Sequence, residues 1–121
     1  IRWNFRYKDI VLIRVPDGIT NDFVYEFKST KKRYFHDACR TARLQANLYG
    51  HYFKRLKKKI QIYCKEENKV YDYFEEVEDD GIIELLERWI HMINGELPIK
   101  PESWKCNICE FKDNCVLIKT P

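Results

Sequence analysis

Residues 15–30 read VPDGITNDFVYEFKST, and the reading of this stretch decides the fold. Just upstream, Val11, Ile13 and Val15 alternate with Leu12 and Arg14. The run is β-branched and reads as a strand. Asn21-Asp22 is a tight-turn pair. Phe23, Tyr25 and Phe27 then alternate with Val24, Glu26 and Lys28, which makes a second strand. The side-chain period of two puts Glu26 and Lys28 on one face. Asp17 falls late on the first strand, so a hairpin brings it across from Glu26. Two readings are open at this point: a cross-strand charge group on the wet face of a sheet, or a reactive site made of Asp17, Glu26 and Lys28.

Working outward, strands are expected over 2–7, 9–19 and 23–29, with a basic loop at 31–33. From about His36 to Lys59 the period becomes helical. Ala38, Ala42, Gln45, Tyr49, Tyr52, Phe53 and Leu56 fall on one broad face, and Arg40, Arg43, Lys54, Lys57 and Lys58 lie largely off it. A hairpin follows, with strands 60–65 and 70–77 turning at Glu67-Asn68. Asp79, Asp80 and Gly81 lead into a second helix over 82–94. Its apolar stripe is Ile82, Leu85, Leu86, Trp89, Ile90 and Ile93, and Gly95 is its stop. Pro98 and Pro101 mark an irregular link. The order of strands, helix, strands, helix and tail implies an α/β or α+β domain over 1–97 and a cysteine-rich tail over 98–121.

The 121 residues allow one core of moderate depth. With 45% hydrophobic and 34% charged residues, the composition is that of a soluble globular chain with a charge-rich surface. No apolar run approaches the roughly 20 residues that span a bilayer. The chain opens in a strand-like run, IRWNFRY, without an initiator Met, and we expect residues upstream to be missing. The net charge of +3 is unevenly spread. Lys28 to Lys59 holds eleven Lys or Arg and one acid, Asp37, whereas Glu66 to Glu87 holds ten acids and one base, Lys69. Such blocks form two solvated faces, or the basic one forms a polyanion-binding surface that includes Lys57, Lys58 and Lys59. Five cysteines do not close a disulfide framework. Cys106, Cys109 and Cys115 crowd into ten residues, as at a metal site in a reducing, cytoplasmic compartment.

The hairpin has the donors that phosphodiester hydrolysis needs. A divalent ion activates water and offsets charge on phosphoryl oxygens. Mg²⁺ takes one or two carboxylates and keeps several waters. Asp17 and Glu26 are candidate carboxylates, and the backbone carbonyl of Phe27 is a further candidate ligand. Lys28 is placed to position or deprotonate the attacking water, or to stabilise developing charge. Gln45 and Tyr49, four apart on the helix, share a face. They are either a core-edge pair or a pair that points back over the site and holds a phosphate or a base.

PDGITNDFVYEFKS followed by QANLYGHYF resembles the PD-(D/E)xK nuclease superfamily, in its RecB-like branch with the Q-x3-Y motif. The tail CNICEFKDNC is C-x2-C-x5-C, similar to that of RecB-like nucleases carrying a [4Fe–4S] cluster, such as the CRISPR-associated Cas-four family. The resemblance implies a restriction-endonuclease-like α/β core and Mg²⁺- or Mn²⁺-dependent exonuclease chemistry on DNA ends or single strands. It also implies work with CRISPR adaptation proteins or in viral DNA processing. By the same resemblance Asp17 and Glu26 are metal ligands, Lys28 is the catalytic lysine, Gln45 and Tyr49 complete the site, and Cys106, Cys109 and Cys115 are cluster ligands. Zn²⁺ is the competing ion for the tail. The family's His on an N-terminal helix and its first cluster cysteine have no counterpart here. Cys39 and Cys64 read as packed residues rather than a fourth ligand, and His36, His51 and His91 are not assigned to metal. A rival reading is a catalytically inactive DNA-binding or packaging protein on the same fold. A purely structural interaction domain ranks last.

Overall fold

The computed structural model describes residues 3–98 and 101–117. Contacts divide the chain into two compact units, Ile1–Glu84 and Leu85–Pro121. The division falls inside the second helix rather than at the proline-marked link, so most of that helix belongs with the tail.

Among the described residues the first unit holds six strands and one long helix. Strands β1 (Trp3–Tyr7) and β2 (Ile10–Arg14) form a separate antiparallel hairpin, with Phe5 opposite Leu12 and Trp3 opposite Arg14. Strands β3 (Gly18–Ile19), β4 (Phe23–Thr30), β5 (Lys57–Cys64) and β6 (Lys69–Glu76) form a mixed sheet in that order. β4 and β5 are parallel and the other pairs antiparallel. Helix α1 (Phe35–Phe53) makes the crossover that a parallel pair requires.

The strand expected over 9–19 is therefore two strands in two sheets. Pro16 has no N–H to give to a ladder, and the chain leaves the hairpin at Val15 and joins the main sheet at Gly18. The β3–β4 turn is held by Thr20, whose hydroxyl accepts from the Asp22 and Phe23 N–H groups at 3.1 and 3.0 Å. The other hairpin turns where expected, with Asn68 at φ 47° and its side chain accepting from the Tyr63 hydroxyl at 2.7 Å.

The first helix stops six residues short of the expected Lys59. Lys54 takes a left-handed φ of 58°, and Lys57–Lys59 open β5 instead. The strand's alternation turns Lys58 inward, where it is 2% exposed. Its ammonium donates to Asn47 Oδ1 at 2.7 Å and to the Glu76 carbonyl at 2.9 Å, and burial lowers its pKa. Leu56, expected on the apolar face of the helix, lies outside it and is exposed. Basic residues 31–33 run into a single 3-10 turn, Lys32–Tyr34.

The core lies between α1 and the inner face of the sheet. Cys39, Ala42, Ala46 and Tyr49 meet Val24, Ile60 and Ile62. Small residues on the helix allow close approach; at Gly50 an added Cβ would lie 2.4 Å from Val77 Cγ2. Phe5 of the β1–β2 hairpin stacks on Tyr52 at 4.6 Å between ring centres and meets Phe53 edge-on at 5.1 Å. Apolar burial of this kind is the main favourable term in folding.

The charge blocks are not two separate faces. Arg43 pairs with Glu75 at 3.0 Å, Lys57 with Glu76 at 3.2 Å and Lys32 with Glu67 at 3.7 Å. Each pair joins the basic block to the acidic one, because β6 lies beside β5 and the 65–68 turn lies beside Lys32. Arg40 also pairs with Asp37 at 2.9 Å, so four of the eleven cations expected to face DNA are matched by acids, and Lys58 is buried.

Helix α2 (Ile82–Ile93) has its first three residues in the first unit and the rest in the second, and it ends before Gly95, φ 98°. The tail is a short helix α3 (Ser103–Asn107) and a 3-10 turn, Lys112–Asn114. Among the described residues no helix is long and apolar enough to cross a membrane.

Candidate active site

The inner row of β4 is Val24, Glu26, Lys28 and Thr30. An inner row facing a helix is expected to be apolar, yet only Val24 is. The antiparallel register that sets Gly18 opposite Tyr25 carries Asp17 opposite Glu26 and onto the same face. Asp17 is fixed there by the Phe27 N–H, which donates to its Oδ2 at 2.8 Å. The bend at Pro16 frees Asp17 from the hairpin and delivers it to the sheet.

Asp17, Glu26, Phe27, Lys28, Gln45 and Tyr49 all line one cleft of about 470 Å³. Every residue expected at the catalytic site is there. Ile13, Arg14 and Val15 complete the lining. Arg14 was not among the expected residues. Its signal lay in the alternation with Leu12, which turns both side chains the same way.

Glu26 is the unusual group. It is 3% exposed, and its Oε1 is buried with no hydrogen-bond partner. An unpartnered buried carboxylate is costly unless it is neutralised. Burial first, and then the Asp17 charge, push its pKa from 4.5 to about 7, while Lys28 pulls it down. Tyr49, also buried, has a raised pKa, through burial first and then Glu26, with Arg14 acting the other way. Its hydroxyl is therefore a proton donor at neutral pH.

The donor set fits a hard divalent cation. Two facing carboxylates, one with an orphaned oxygen, line a cleft open to water together with Phe27, whose backbone carbonyl is the further candidate ligand. A cation of this kind would be held by Asp17 and Glu26 and would offset both charges.

The tail does not offer a comparable site. Cys106, Cys109 and Cys115 are free thiols, partly or fully exposed, on α3 and the turns that follow it. Among the described residues no group of three or more His, Cys, Asp or Glu side chains gathers to hold a metal ion. Cys39 and Cys64 are buried in the first unit.

The fold and cleft define an α/β protein with a mixed sheet, helix-flanked, and an acid pair on the sheet's inner face. Neither family models nor curated proteins give a match to the chain. A solved structure described as "Crystal structure of SSO0001" is similar to it, with a TM-score of 0.61 and 18% identity over 95% of this chain. The chain spans 56% of the length of that one. At this identity the likeness shows a shared fold.

Proposed function

We propose that the protein is a divalent-metal-dependent deoxyribonuclease with a restriction-endonuclease-like core, acting on DNA ends or single strands. One observation carries the reading: a buried Glu26 with an orphaned Oε1 faces Asp17 in the cleft that also holds Lys28, Gln45 and Tyr49.

Asp17, Glu26 and the Phe27 carbonyl would hold Mg²⁺ or Mn²⁺. When bound, the ion supplies an activated water and a counter-charge for phosphoryl oxygens. The protein's own groups do the rest. Lys28 orients the attacking water and stabilises charge that develops in the transition state. Tyr49, held protonated, donates a hydrogen bond to a phosphate oxygen. Gln45, one helical turn away, offers an amide to the same phosphate or to a base.

The test is cutting of labelled single-stranded and duplex DNA in Mn²⁺ or Mg²⁺, with a chelator control and a gel shift in chelator. Asp17→Asn and Lys28→Ala are expected to abolish cutting and to leave binding in place. DNA binding without metal-dependent cutting by the unaltered protein would favour the inactive DNA-binding reading. Cutting that survives Asp17→Asn would remove the acid pair from the chemistry.

A further inference from the structure

We infer that Arg14 is a substrate-phosphate-binding residue, a guanidinium that grips the DNA backbone beside the acid pair. The inference rests on the nuclease reading for the identity of the substrate.

Trp3, Phe5, Leu12 and Arg14 share one side of the β1–β2 hairpin, because directly opposed residues lie on the same face. That side packs on the end of α1, through Phe5 on Tyr52 and Trp3 against Phe53 at 5.0 Å. Arg14 is the cation on an otherwise apolar packing row. It lines the cleft with Asp17, Glu26, Lys28 and Tyr49. Among the described residues it makes no hydrogen bond or ion pair.

Four other cations of the first unit are committed differently. Arg43 and Lys57 are paired with acids, Arg55 donates to the Thr20 and Phe53 carbonyls, and Lys58 is buried. Arg14 and Lys28 are the cations left in the cleft without a hydrogen-bonded partner. Two carboxylates and a metal ion recruit one phosphate but do not hold the chain on either side of it. A guanidinium presents two parallel N–H donors that match the non-bridging oxygens of a phosphate. The hairpin serves as a second wall of the cleft, and Arg14 is its polar contact.

The experiment is fluorescence anisotropy of a labelled single-stranded oligonucleotide in EDTA, over a KCl series, with steady-state cutting in Mn²⁺ alongside. Arg14→Ala is expected to weaken binding by about 10-fold or more, the scale of a lost charge-assisted hydrogen bond. It is also expected to lower the slope of log affinity against log salt by about 0.7, one phosphate contact on a single strand. Arg14→Lys is expected to keep the slope and lose part of the affinity, since an ammonium lacks the fork. In cutting, KM should rise more than kcat falls. Unchanged affinity and slope in Arg14→Ala, with an unchanged thermal midpoint, overturns the inference. So does unchanged DNA binding with tighter Mn²⁺ binding, which would make Arg14 a counter-charge for the acid pair. If the unaltered protein fails to cut but the Arg14 dependence of binding holds, the nuclease reading falls and the phosphate contact stands.

Discussion

Glu26→Gln should make the metal-free protein more stable at alkaline pH. In the folded chain the Glu26 carboxyl titrates at about 7, against 4.5 for the ordinary group. Between those values the folded state keeps a proton that the unfolded state has released. The unfolded state then binds fewer protons, so unfolding free energy falls as pH rises. The contribution is fully present below about pH 4.5 and lost once pH passes about 7. The shift of 7 − 4.5 = 2.5, at about 1.4 kcal/mol per unit, gives a loss of about 3 kcal/mol by pH 8. Glutamine has the same shape, stays neutral and removes the titration. Urea unfolding in EDTA at pH 4 and pH 8, for both proteins, isolates the group, because all other titrations cancel in the difference. The two should be nearly equal at pH 4, with the variant about 3 kcal/mol more stable at pH 8. Mn²⁺ at about 100 times its dissociation constant should return about 2.7 kcal/mol to the unaltered protein at pH 8 and little to the variant. Parallel pH profiles for the two proteins would show that Glu26 is solvated, and the argument for a desolvated acid beside Asp17 would fail.

Lys58→Ala should cost about 1–3 kcal/mol in urea unfolding, because the Glu76 carbonyl loses a buried donor. It should leave the salt slope of DNA binding unchanged, whereas a drop of about 0.7 would mean that Lys58 faces the nucleic acid after all. Thiol titration of native, chelator-treated protein should find Cys106, Cys109 and Cys115 reactive, and Cys39 and Cys64 protected until urea is added. Five fast thiols would refute the burial of the last two. Iron, sulfide and zinc measured after anaerobic purification decide whether the tail rearranges to bind metal; stoichiometric iron with broad visible absorbance would show that it does.

Local pattern alone determined much of the site. Period-two alternation placed Glu26 and Lys28 on one face, and spacing of four placed Gln45 and Tyr49 together, because both follow from backbone geometry within a single element. The turn at Asn68 and the helix stop at Gly95 were legible for the same reason: each depends on a residue that tolerates positive φ. The tertiary structure decided what depends on partners distant in sequence. A helical reading of 54–59 was reasonable from the apolar face that runs through Phe53 to Leu56, but pairing of Lys57–Lys59 with β4 and β6 overrode it. The same pairing buried Lys58 and matched Arg43 and Lys57 with acids of β6, so charge blocks separated in sequence became neighbours in space. Pro16 was visible as a residue without an N–H, but not that it divides one apparent strand between two sheets. That division sets Asp17 opposite Glu26 and leaves Arg14 on the facing wall. The unpartnered Oε1 of Glu26 is likewise a product of packing, since desolvation is a property of everything around a group and not of the residue itself.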